Sequence, residues 1–301
     1  MNWHGKSLRE KVPAVIHGGG SRISLLQASR YNAHMNLPSI LSPERILEHC
    51  RPAAQAVTVK VVDETGSTNA DLLASLPELT TPMLLVARQQ TAGRGRAGRS
   101  WLSEAGKSLT FSLAWRFNLP VQSLVGLPLA VGVAIAEALA MFQVSVRLKW
   151  PNDVLYQGRK LAGVLIESAS AGHVPHEASW AVIGIGINMA VNEQMAAQIG
   201  RPVASISWLA DLDQDMLMAT LLNALSDALV QFEHEGMDAF TQRWNTLHAY
   251  TGQPVVILDH GQALHEGMAV GVDRIGRFLL DTAYGRVAVM AGDVSLRAKE
   301  N

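Results

Sequence analysis

The sequence predicts a mixed α/β domain of roughly 200 residues followed by a small all-β unit. Three observations carry this expectation. Strand-like and helix-like segments alternate from residue 56 to residue 247, and helical period disappears after Gly252. Of the 301 residues, 48% are hydrophobic and 17% charged, enough apolar side chain for a substantial core.

Each element has a local reason. Residues 1–35 contain Gly18-Gly19-Gly20 and little periodicity, and read as a loose extension or as sequence upstream of a start at Met35. Ser42-Pro43-Glu44 opens a short helix with a hydroxyl cap, a proline at the first helical position and an early acid. Residues 56–64 read as a strand, and 68–76 as a helix after a Ser/Thr cap. Residues 83–90 and 108–117 are strand-like, the second alternating clearly. Residues 124–142 read as a core helix with Pro128 near its first turn. With Glu137 inside and fewer than the ~20 apolar residues a span needs, they are no membrane helix. Further strands are expected at 146–150, 160–168 and 179–189, then amphipathic helices at 216–236 and 239–247. The tail splits into short strands at 253–259, 266–273, 276–282 and 285–297, separated by Gly and Asp.

Composition removes several function classes. A net charge of −1 gives no global attraction to nucleic acid or anionic membrane. The single cysteine, Cys50, permits no disulfide and no CxxC site, which points to a reducing, cytoplasmic setting. Ten histidines without HExxH give zinc chemistry no support. There is no P-loop. Gly184-Ile185-Gly186 follows a strand, but Met189 stands where a dinucleotide fingerprint has its third glycine, so NAD is not expected and these glycines read as close strand packing.

The chemistry concentrates in a few segments. Gly93 to Arg99, GRGRAGR, places three arginines and three glycines in seven residues between two apolar strands. Glycine lets backbone amides approach an anion, and arginine offers paired donors to carboxylate or phosphate. Four other segments belong with it: GSTN at Gly66–Asn69, KWPND at Lys149–Asp153, GRKLAGVL at Gly158–Leu165, and GIGINM ending in Asn188 and Met189. Individually, each has an ordinary structural reading, as helix cap, turn, edge charge or strand end.

Together, in this order, STN, QQTAGRGRAGRSW, KWPND, RKLAGVL and GIGIN resemble the biotin–protein ligases in their form without an N-terminal DNA-binding domain. The resemblance runs from about Ala56 to the C-terminus. It implies a class II aminoacyl-tRNA synthetase-like catalytic domain at 51–250, a small SH3-like β-barrel at 251–301 and an extension at 1–50. It implies ATP-dependent activation of biotin as biotinyl-5′-AMP and transfer to a lysine of a biotin carboxyl carrier protein. By similarity, Arg96, Lys160 and Arg94 are the catalytic candidates. Biotin contacts would come from Ser67, Thr68, Asn69, Gln90, Gly93, Arg94, Gly95, Arg96, Lys160 and Gly163. The nucleotide side would draw on Arg94, Arg99, Trp101, Asn152, Lys160 and Asn188, with Asp153 toward Mg²⁺. One departure is Ala97, where some members carry arginine. No nucleic acid or membrane partner is expected, and a homodimer is left open. The competing readings are a lipoate or octanoate ligase or transferase of the same fold, and a ligase that is also a DNA-binding repressor.

Overall fold

The computed structural model describes residues 41–171, 178–200 and 202–299; the expectations for residues 1–35 lie outside these. The N-terminal part is built on a seven-stranded sheet of order β1-β2-β3-β7-β6-β5-β4. Its strands are β1 (Thr58–Thr65), β2 (Met83–Gln90), β3 (Ser108–Phe117), β4 (Arg147–Lys149), β5 (Asp153–Tyr156), β6 (Arg159–Ser170) and β7 (Ser179–Asn188). β1 and β2 run parallel, and every other neighbouring pair is antiparallel.

The helices are α1 (Pro43–Glu48), α2 (Pro52–Gln55), α3 (Thr68–Ser75), α4 (Leu127–Met141), α5 (Glu193–Ile199), α6 (Gln214–Glu235) and α7 (Asp238–Leu247). Helix α4 is apolar nearly all round, which only a buried helix tolerates, and it shares one core with α6, α7 and one face of the sheet. The expected start at Leu124 moves to Leu127. Gly126 takes φ +86°, which no ordinary helical residue adopts, and Val121–Leu124 forms a separate 3₁₀ turn. No helix among the described residues is long and apolar enough to cross a membrane.

Helix α1 has the expected Ser42 cap, with Arg45 N donating to its hydroxyl at 3.3 Å. Arg45 ties this helix to the start of α6 through Asp213 at 2.8 Å and the buried Asp215 at 3.1 Å. Three elements are absent from the sequence expectations, among them the four-residue helix α2. Strand β5 is only four residues long, and α5 shows no sustained apolar stripe.

The C-terminal strands β8 (Pro254–Asp259), β9 (Gln262–Val272), β10 (Phe278–Thr282), β11 (Gly285–Val289) and β12 (Val294–Ala298) form an antiparallel sheet of order β11-β10-β9-β8-β12. The run at 285–297, expected as one strand, divides into β11 and β12. The divided strands pair with different partners, β10 and β8. Buried Trp150 joins the two sheets, its ring 5.5 Å from that of Phe278 and its indole N–H donating to the Gly276 carbonyl at 3.2 Å. Asn245 adds a two-way amide bridge to Val272, at 2.7 and 3.1 Å.

Candidate active site

The sheet has two unlike faces, and strand alternation explains why. Ile183, Ile185 and Ile187 of β7 point into the main core, as do Leu109, Phe111 and Leu113 of β3. On the other face, α3 covers a smaller cluster that includes Leu72, Leu85, Ala114 and Val182. Beyond the N-terminus of α3 the residues on that face become small or polar: Thr110 and Ser112 on β3, Gly184 and Gly186 on β7, Gly163 on β6. The result is a narrow cavity of about 50 Å³ lined by these glycines, the Ser67–Asn69 turn, Gln90, Arg94, Gly95, Arg96, Trp101 and Lys160.

The closed end is held by side-chain hydrogen bonds. Ser67 caps α3 at the limit of hydrogen-bond distance, 3.5 Å from Ala70 N. The Thr68 amide donates to Gln90 Oε1 at 2.8 Å, and the Thr68 hydroxyl donates to the same oxygen at 3.1 Å. Ser112 donates to Asn69 Oδ1 at 2.5 Å, so across its 2.7 Å contact with Thr68 it accepts, and the single Thr68 hydroxyl proton is shared between Ser112 and Gln90 Oε1. Asn69 is buried, with its Nδ2 directed at Glu167 Oε2, 2.9 Å away. A Cβ on Gly184 would come within 2.9 Å of Asn69 Cγ, and one on Gly186 within 2.6 Å of Trp101 Nε1. Close strand packing is therefore not why these glycines are present: they make room for the Asn69 amide and the Trp101 indole.

The arginine loop folds as a hairpin. Gly95 N donates to Arg99 O at 2.6 Å and Trp101 N to Gly93 O at 2.8 Å, with Arg94 bridged to Ser100. Its tip turns through Ala97 at φ +52° and Gly98 at φ +68°. The departure at Ala97 thus sits at a left-handed position, where a side chain costs about 1–2 kcal/mol relative to glycine. Gly93 lines neither cavity, but a Cβ there would run into the Trp101 carbonyl oxygen. The Trp101 indole lies over Gly163 and Gly186, with Lys160 Nζ 5.7 Å from its ring centre, and its buried N–H has no partner.

A second, larger cavity of about 300 Å³ adjoins the first across Arg96, Trp101, Asn152 and Lys160. Lys160 Nζ pairs with Asp153 Oδ1 at 2.5 Å. Arg96 donates to Asn152 Oδ1 at 3.1 Å and to the Gly292 carbonyl. Burial lowers the Arg96 guanidinium below its usual pKa, against the opposing pull of Asp153 and Asp293. Burial raises the Tyr250 hydroxyl at the same wall, with Asp153 adding to the effect. Asp293, Ser295 and Arg297 complete this cavity from the C-terminal sheet.

The structure brings nearly all the sequence-predicted site residues to these two cavities. Arg99 and Asp153 line the larger one, and Asn152 lines both. Asn188 lines neither. Its Nδ2 donates to the carbonyls of Lys160 at 3.3 Å and Ala204 at 3.1 Å, holding the strand start that carries Lys160. Glu167, Gly184, Gly186 and the 293–297 wall were missed. The alternation Trp180, Val182, Gly184, Gly186, Asn188 was the signal available for the glycines; the C-terminal wall had none.

Residues 59–188 match the family model described as biotin/lipoate A/B protein ligase family, and 250–297 match that of the biotin protein ligase C terminal domain. The chain is 35% identical over 251 residues to the bifunctional ligase/repressor BirA of Escherichia coli, covering 81% of this chain and 75% of that protein. It is 34% identical over 243 residues to the biotin--[acetyl-CoA-carboxylase] ligase of Mycobacterium tuberculosis, covering 78% and 87%. Among solved structures it is similar to a biotin protein ligase from Aquifex aeolicus in complex with biotin and ATP. The TM-score is 0.64 at 29% identity, covering 80% of this chain and 99% of that one.

Proposed function

The chain belongs to the biotin/lipoate A/B protein ligase family, and from that premise we propose how its two cavities divide the work of a biotin–protein ligase. The enzyme joins biotin to ATP, forming biotinyl-5′-AMP and pyrophosphate, and transfers the biotinyl group to a lysine of a biotin carboxyl carrier protein. The observation that supports this division is the position of Arg96 and Lys160. They come from different elements, yet both stand where the narrow cavity meets the wide one.

In this reading the narrow cavity takes the fused rings of biotin, with Ser67, Thr68, Asn69 and Gln90 around the ureido end. The small floor left by Gly163, Gly184 and Gly186 admits the ring system beneath Trp101. The valerate chain then leads past Arg94 and Gly95 to the junction, and Gly93, outside both cavities, serves by letting the hairpin close against the Trp101 carbonyl. There its carboxylate must approach the α-phosphate, and two anions repel. Arg96 and Lys160 offset that repulsion by fixed charge in a partly dry site, which stabilises the pentacoordinate transition state without covalent work by the protein. The wide cavity takes the nucleotide, with Arg99, Asn152 and the faces of Trp101 available to it. Asn188, buried outside both cavities with both amide hydrogens on carbonyls, serves the nucleotide side only by holding the strand start that carries Lys160.

Magnesium fits this site in one manner only. No group of three or more His, Cys, Asp or Glu side chains among the described residues could hold a metal ion. Mg²⁺ typically keeps its waters and binds through substrate phosphates plus one or two carboxylates. Of the two carboxylates on the wide cavity, Asp153 and Asp293, Asp153 stands beside the junction and would hold the ion, which would supply charge neutralisation on the phosphates. In the second step the anhydride is already activated, and the hairpin over the junction keeps water from it until the acceptor amine arrives.

Purified protein given biotin, ATP and Mg²⁺ should release pyrophosphate in proportion to biotin and label an acceptor carrier domain on its lysine. Absence of both would remove the assignment. Calorimetry with biotin and lipoate separately should show binding to the first alone.

A further inference from the structure

Glu167 lies outside every motif that pointed to the site, yet its carboxylate joins the site's two halves. One oxygen, Oε2, accepts from Arg94 Nη2 at 2.9 Å and from Asn69 Nδ2 at 2.9 Å. From Asn69 the hydrogen bonds continue through Ser112 to Thr68 and Gln90. The first arginine of the hairpin is thereby connected, side chain by side chain, to the groups at the closed end of the narrow cavity.

We propose that Glu167 is a positioning residue that holds Arg94, and through it the 93–101 hairpin, over the cleft in register with the Thr68–Gln90 end. Occupation of that end by a cyclic urea and closure of the hairpin then favour each other. This rests on the biotin reading of the site.

The physical argument has three parts. Glu167 is carried by β6 opposite Val182, within the ladder that pairs β6 with β7 from Ala162 to Ser170, so the anchor is rigid while the hairpin it holds is a surface loop. The Arg94 and Glu167 side chains are 44% and 29% exposed, and an isolated pair so placed contributes little. This pair is not isolated. Asn69, itself seated against Gly184, fixes the carboxylate before Arg94 arrives, which reduces the ordering cost of the ion pair. Any ligand that alters the hydrogen bonding of Thr68 or Gln90 acts on a chain that ends at the loop.

The test is a double-mutant cycle in the full chain with Glu167→Gln, Arg94→Gln and the pair, measured by biotin-dependent pyrophosphate exchange. Limited trypsin cleavage in the 94–99 loop, followed against biotin concentration, gives a second readout. Glu167→Gln should raise the KM for biotin about fivefold while kcat changes by less than about twofold. The loop should be cut faster, more biotin should be needed to protect it, and the double variant should be no worse than Arg94→Gln alone. Wild-type KM and cleavage in Glu167→Gln overturn the proposal, as do effects that multiply in full in the double variant. If Glu167→Gln does not fold, Glu167→Asp serves. One methylene shorter, it cannot reach both partners, and its KM must again rise. A wild-type protein without biotin-dependent exchange overturns the biotin reading and this proposal together, whereas an active wild type with an indifferent Glu167→Gln overturns the proposal alone.

Discussion

Replacing Gly186 by alanine probes the floor of the narrow cavity with one methyl group. The built Cβ would lie 2.6 Å from Trp101 Nε1 and closer still to two ring carbons. Carbon atoms in comfortable contact stand about 3.5–4.0 Å apart, so the indole must retreat by more than about 1 Å. The backbone of Gly186 is ordinary strand and adds no strain of its own. Trp101 sits at the end of a surface hairpin and is only partly buried, so the loop yields more readily than the sheet. The stability cost should therefore fall near the lower end of the ~1–3 kcal/mol seen for overpacking. Function should suffer more, because the displaced indole no longer covers the biotin cleft and pulls the hairpin with it. Biotin KM in pyrophosphate exchange is expected to rise at least about tenfold, a loss of roughly 1.4 kcal/mol. Gly163→Ala provides the control. There the nearest contact is the end of the Lys160 side chain, at 2.8 Å, which can swing aside. A Gly186→Ala enzyme with wild-type biotin KM, or one less affected than Gly163→Ala, would refute the reasoning.

Three further predictions follow from the same geometry. Arg96→Ala should lower biotin adenylation by roughly 10²–10³-fold, as removal of a transition-state donor does, and unchanged pyrophosphate exchange would take Arg96 out of the chemistry. Lys160→Met leaves the Asp153 carboxylate, 16% exposed, without its cation, and should cost both activity and about 1–3 kcal/mol of stability. Adding Asp153→Asn should restore the melting temperature but not turnover; restored turnover would mean that Lys160 serves only the ion pair. His248 is buried on the Trp244 ring with its Nε2 unpartnered, and burial lowers its pKa to about 4 from 6.5. The unfolded chain therefore binds more protons between these values, and stability is lost as pH falls from 6.5 toward 4, by about 3 kcal/mol in full. His248→Phe should flatten that part of the melting-temperature profile, and equal acid sensitivity in both proteins would exclude His248 as its source.

Features that depend on neighbours along the chain were legible before any folding was considered. Apolar strand-like runs, one of them clearly alternating at 108–117, placed the long strands, Ser42 and Ser67 marked helix starts, and glycine with arginine identified an anion-binding loop. Joint motif order carried the family, because five short segments in one order are far more specific than any one of them. What depends on distant neighbours was not legible. Asn188 reads as a polar strand end, and only tertiary contact shows its amide spent on the carbonyls of Lys160 and Ala204. Glycines 184 and 186 read as packing positions until Asn69 and Trp101 arrive above them from elsewhere in the chain. Gly292 reaches Arg96 across 196 residues of sequence, and no local pattern encodes such a meeting. Local propensity is set by residues a few positions apart, whereas a site's walls are set by which faces the packed sheets turn toward each other.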